Sequence, residues 1–128
     1  MCIRDRVGTV QGVSIVNITD AANPVEVEFI SQQRTGWRDI KTWGNFAYVT
    51  SEAEGDGVLV IDLSNLPASA EYYNIRPILP NGDLIGPCHN LYIDENGFAY
   101  LAGCIGIEDN GGVQIFDVHS SELSLIHI

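Results

Sequence analysis

Positive charge is the scarcest feature of this sequence. Lys and Arg number 6 against 17 Asp and Glu, a formal net charge of −11. Nucleic-acid backbones are held by rows of Lys and Arg, so this balance excludes a nucleic-acid partner. Long apolar runs are also missing. None reaches the roughly 18 residues that span a bilayer. The N-terminus shows no apolar stretch of about 7–15 residues before a small-residue cleavage site, so no secretory leader is visible. No segment sustains an apolar period of 3.6, which argues against helices. Zinc spacing, a Gly-x-Ser-x-Gly elbow, a phosphate loop and a Cys–His nucleophile arrangement are all absent. His89 and His119 are read at opposite ends of the strands, so they make no metal pair.

The two ends read differently from the rest. The chain opens Met1-Cys2-Ile3-Arg4-Asp5-Arg6 and closes Leu123-Ser124-Leu125-Ile126-His127-Ile128. One DNA segment, translated in opposite orientations, encodes both hexapeptides, and it resembles a transposon-end adapter of sequencing libraries. Residues 1–6 and 123–128 are therefore expected to be adapter-derived, and fold reasoning rests on 7–122. Removing Arg4, Arg6 and Asp5 from the 6 basic and 17 acidic residues leaves 4 and 16. Such acidity fits a solubilised surface or cation binding.

What the sequence does hold is a repeat. Gly12-Val13-Ser14-Ile15-Val16-Asn17-Ile18 returns as Gly57-Val58-Leu59-Val60-Ile61-Asp62-Leu63 after 45 residues, and as Gly112-Val113-Gln114-Ile115-Phe116-Asp117-Val118 after a further 55. A second motif, Asn45-Phe46-Ala47-Tyr48-Val49-Thr50-Ser51, returns as Gly97-Phe98-Ala99-Tyr100-Leu101-Ala102-Gly103 after 52. Periods of about 40–50 residues in all-β sequence point to four-stranded propeller blades. Short runs rich in Val, Ile, Tyr and Phe predict strands at 14–18, 25–31, 38–43, 46–51, 58–63, 72–76, 89–93, 98–102 and 113–118. Gly44-Asn45 and Asp94-Glu95-Asn96-Gly97 predict hairpins. The expected architecture is all-β: a partial propeller of about two antiparallel four-stranded blades, with the ring not closed. Residues 12–31 would end one blade, 38–80 would form a full blade, and 89–118 would supply the first three strands of the next. Its exposed core faces would be an aggregation liability.

Three runs carry a family resemblance: residues 12–27, residues 37–52 (Trp-Arg-Asp-Ile-Lys-Thr-Trp-Gly-Asn-Phe-Ala-Tyr-Val-Thr-Ser-Glu) and residues 89–100 (His-Asn-Leu-Tyr-Ile-Asp-Glu-Asn-Gly-Phe-Ala-Tyr). They resemble the LVIVP-repeat proteins, and more closely the choice-of-anchor B family, over nearly all of 12–118. The resemblance implies an exported β-propeller, extracellular or at the cell surface, tethered by a C-terminal anchor. It implies no catalytic residues.

Propeller geometry gathers the polar loops on one rim. Arg38, Asp39, His89 and Asn90 begin equivalent inner strands, and read either as a polar ligand site or as fasteners between loops. Glu52, Glu54 and Asp56 in one loop, with Glu108 and Asp109 in another, offer oxygen ligands for Ca²⁺ or form a solvated acidic rim. If the 94–97 hairpin has a three-residue loop, Cys88 and Cys104 stand directly opposite, which permits a disulfide; two buried thiols are the alternative. The expected function is a non-enzymatic binding or interaction module for a protein or carbohydrate partner. The alternatives are a hydrolase or lactonase at the channel mouth and a pure scaffold.

Overall fold

The computed structural model describes residues 4–79, 81–105, 112–119 and 124–125. The described chain is all-β, in three antiparallel sheets. The first sheet has the order β1 (Arg4–Thr9), β2 (Gly12–Asn17), β3 (Val25–Ser31). The second is β4 (Arg38–Trp43), β5 (Phe46–Ser51), β6 (Val58–Asp62), β7 (Glu71–Ile75). The third is β8 (Asn90–Ile93), β9 (Phe98–Ala102), β10 (Val113–Asp117), β11 (Ser124–Leu125). Each sheet is a simple meander, because strands paired in a sheet are consecutive in the chain.

Two strands lie outside the sequence expectation. β1 takes Arg4 to Thr9 and pairs with β2 from Arg4↔Asn17 to Thr9↔Gly12. Its charged start and the brief Val7-Gly8-Thr9 give no strand signal, and tertiary pairing supplies what local pattern does not. β11 pairs Ser124 and Leu125 with Asp117 and Phe116.

Two of the three motif glycines answer a steric demand, while a Cβ on Gly112 would meet nothing within 4 Å. A Cβ on Gly12 would lie 2.0 Å from the Ile30 carbonyl oxygen, and one on Gly57 would lie 2.2 Å from that of Ile75. Only glycine lets the neighbouring strand approach so closely. The last polar residue of the same motif caps its strand each time. Asn17, Asp62 and Asp117 accept from the backbone N–H two residues on, at Thr19, Ser64 and His119, over 3.0, 2.8 and 2.8 Å. These are Asx turns, which stop a strand by offering its backbone another partner. The strand exits also match: Leu63 N–H donates to Asn45 and Val118 N–H to Gly97, each at a hairpin tip.

Packing follows the two-residue period of the strands. Ala47, Val49, Leu59 and Ile61 form one core with Val13, Ile15 and Ile30 of the first sheet. Tyr48, Val58 and Val60 turn the other way and form a second core with Leu91, Ala99, Leu101 and Phe116 of the third. The middle sheet is therefore covered on both faces, which is why β5 and β6 read as continuous apolar runs. The link from β7 to β8 sends Leu79 and Ile85 into the second core. At one edge of the stack, β4 lies against β8, and β1 against β4.

Candidate functional site

The polar residues singled out above gather where β4 and β8 begin. Arg38 opens β4, and its side chain is 2% exposed. Its Nε donates to the Thr9 carbonyl at 3.1 Å, its Nη2 donates to the Gln33 carbonyl, and Nη1 stands 3.6 Å from Asp56. Burial pushes the guanidinium below its ordinary pKa, and the Asp56 charge works against that shift. Asp56, 7% exposed, also accepts from Ser51 at 3.1 Å, and its carbonyl accepts from the Asn74 amide. Ser51 Oγ in turn accepts the Ala53 N–H. This network ties the end of β5 to the following loop and to the first sheet. Arg38 thus acts as a fastener, with its donors spent on protein carbonyls and a buried acid.

Asp39 reaches the other way. One carboxylate oxygen accepts the Leu91 N–H of the third sheet at 3.0 Å, and the other accepts from Lys41 at 2.5 Å. Burial raises the Asp39 pKa, but the hydrogen bonds from Lys41 and Leu91 outweigh it, so the carboxyl ends below the usual range. Asn90 holds the corresponding place on β8 and is exposed.

His89 sits at the same end in a different setting. Its ring stacks on Trp37 with centroids 4.6 Å apart and planes 9° from parallel. Its Nδ1 lies 2.5 Å from Glu52 Oε1, and both side chains are 46% exposed. Trp37 Nε1 donates to the His89 carbonyl at 2.8 Å. The result is an exposed aromatic pair edged by a carboxylate. Trp37 was not among the residues expected to form the site; its position one residue before Arg38, in a loop entering an inner strand, is the signal that could have found it.

The acidic loop does not converge. Glu52 turns to His89, Asp56 to Arg38, and Glu54 lines a separate open cleft of about 800 Å³ with Arg76, Asp83, Leu84, Pro87 and Ile105. Among the described residues no three His, Cys, Asp or Glu side chains group to hold a metal ion. Glu108 and Asp109 lie outside the described residues.

Beside the cleft, Cys88 and Cys104 are joined by a disulfide, S–S 2.07 Å. The hairpin closes at Asp94, whose N–H donates to Phe98, and the β8–β9 register runs from Ile93↔Ala99 to Asn90↔Ala102. Continued outward, that register sets Cys88 against Cys104. Their Cα atoms stand 3.9 Å apart, nearer than is common for opposed strand residues. Cys88 N–H also donates to Ser51, so the disulfide is anchored to the middle sheet.

At the far end of the strands, His119 packs edge-on against Trp43, and its Nδ1–H donates to Asp117 Oδ1 over 2.6 Å. It is remote from the His89 cluster in role and in contacts. Neither a family model, a curated protein nor a solved structure matches the chain.

Proposed function

We propose that the three sheets are consecutive blades of a β-propeller, and that the protein is an exported, non-enzymatic binding module of the kind its LVIVP-repeat and choice-of-anchor B resemblance implies. The blade reading is supported by the equivalence of the sheets: the same motif glycines admit the neighbouring strand at Gly12 and Gly57, and the same Asx turns end the motif strands. Export is supported by the Cys88–Cys104 disulfide, since such bonds persist in oxidising compartments. The binding role rests on one observation, the exposed Trp37–His89 stack edged by Glu52. An aromatic face beside hydrogen-bonding groups suits the apolar face and hydroxyls of a carbohydrate, or a protein side chain.

Trp37 and Trp43 are the two tryptophans, and they lie at opposite ends of the strands. A Trp43→Phe chain therefore reports from Trp37 alone. Screened against soluble bacterial glycans, it is expected to change emission with a ligand that Trp37→Ala no longer retains on a glycan array. Turnover of ester or lactone substrates by the wild-type chain would replace this reading with an enzymatic one.

A further inference from the structure

Asn17 is the only asparagine of the sequence that stands two residues before a Ser or Thr, and the residue between, Ile18, is not proline. Asn-x-Thr is the spacing of an N-linked glycan acceptor. The local fold prepares the carboxamide for that chemistry. Asn17 closes β2 and is half-buried, while residues 19–25 beyond it are exposed. Its Oδ1 accepts twice from Thr19, from the backbone N–H at 3.0 Å and from Oγ1–H at 2.7 Å. Both bonds draw electron density toward Oδ1, which polarises the amide and makes an Nδ2 proton easier to remove. Among the described residues Nδ2 has no hydrogen-bond partner. The turn that follows is held by its own residues: Asp20 accepts from the Ala22 N–H at 3.1 Å and from the Asn23 amide at 2.8 Å.

The repeat supplies an internal comparison. Asp62-Leu63-Ser64 and Asp117-Val118-His119 hold the same motif positions and make the same Asx turn. A carboxylate is enough for that turn, so the turn alone does not call for the carboxamide of Asn17. Of the three, only the Asn17 turn combines an amide nitrogen with a hydroxyl two residues on.

We propose that Asn17 is the acceptor of an N-linked glycan, taken from a lipid-diphosphate-linked oligosaccharide as the chain is exported. In the transfer Nδ2 gives one proton to a base of the transferase, and the electron pair left on nitrogen forms the bond to the anomeric carbon. The anomeric C–O bond breaks, and its electrons leave on the lipid diphosphate. This assignment rests on the export reading, because such donors meet a chain on the export route; it does not rest on the binding role. The two sites are also apart. The Gly12 end of β2 lies by Arg38, whose Nε holds the carbonyl of Thr9, the register partner of Gly12. Asn17 ends the same strand, about 17 Å further along. A bulky, solubilising glycan there leaves the Trp37–His89 stack open.

The test secretes the full chain, behind a cleavable leader, from a eukaryotic cell line that supplies the donor. The product should run above its 14.0 kDa as a discrete heavier species. Peptide N-glycosidase should return it to the chain mass, and peptide mapping should find the sugar on Asn17. Thr19→Val keeps the backbone bond to Oδ1 but lacks the hydroxyl, and should abolish the modification; Thr19→Ser keeps a hydroxyl and should retain it. Asn17→Gln should also abolish it, and Thr19→Val decides the matter should Asn17→Gln fail to fold. An unmodified Asn17 in the secreted chain overturns the proposal, as does sugar that survives Thr19→Val. The leader supplies export, so the export reading fails separately. Sugar on Asn17 with Cys88 and Cys104 still as thiols upholds the acceptor and removes the disulfide as support for export. A disulfide-bonded chain without sugar removes the acceptor and leaves export standing.

Discussion

Arg38 and Asp39 are adjacent residues that fasten opposite neighbours. Arg38 holds the first sheet through Thr9, and Asp39 holds the third through Leu91. Removing one member of the buried Arg38–Asp56 contact strands the other charge away from water. Asp56→Ala is therefore expected to cost about 3 kcal/mol, read as a lower urea midpoint at neutral pH. Asp39→Ala leaves the Leu91 N–H without its acceptor and should cost about 1–3 kcal/mol by the same assay. Its pH dependence has a defined sign. The folded-state pKa of Asp39 lies below the ordinary 3.8, so its contribution is complete above that value and fades as pH falls through the lower folded one. Asp62 and Asp94 are held low as well, by hydrogen bonds from Ser64 and from the Phe98 N–H. Urea midpoints of the wild type should fall steeply below about pH 4, and those of Asp39→Ala less steeply. Tyr48 behaves oppositely: burial in the second core, with Tyr73 nearby, pushes its phenol up to about 12. It stays neutral at any ordinary pH, its hydroxyl 3.5 Å from the Val118 carbonyl.

Among the elements, β2 to β10 could all be read from sequence, the repeating ones most plainly. The motif starting at Gly12, Gly57 and Gly112 marks β2, β6 and β10, and the Phe-Ala-Tyr motif marks β5 and β9. The hairpin arithmetic around 94–97 is matched by the β8–β9 ladder. Elements that lack the motif were less visible. β1 is short of apolar residues, and β11 is only two residues long. The candidate site was legible as a location but not as a set of roles. Arg38, Asp39 and His89 do meet at one end, yet whether a side chain is spent on the fold depends on cross-sheet partners such as Thr9 and Leu91, which no local pattern encodes. The glycines allow a sharp comparison. Gly57→Ala would press a methyl against the Ile75 carbonyl, at a backbone φ of 66°, and should cost well over about 1 kcal/mol. Gly36→Ala meets nothing within 4 Å and should change the urea midpoint little.

For the molecule as a whole, the disulfide is the one covalent cross-link among the described residues, and it joins the open ends of the paired strands β8 and β9. It closes a 16-residue separation, worth about 3 kcal/mol in chain entropy. Reduction, or Cys88→Ser with Cys104→Ser, should lower the melting temperature accordingly, while thiol counting on the unreduced protein should find one thiol of the three cysteines, that of Cys2.

The doubly covered middle sheet also sets an order of events. Its two cores are completed from opposite directions in the chain, by residues 13–30 on one side and by residues 79–118 on the other. A nascent chain that has emerged through Ile75 but not as far as β8 has made all four strands β4 to β7, but their second face still looks onto water. That nascent intermediate has half its hydrophobic partners and is open to chaperones and to sticking. Once the last core strand arrives, the amide protons of β5 and β6 become the most sheltered among the described residues. They should then exchange with deuterium only when both neighbouring sheets come away together.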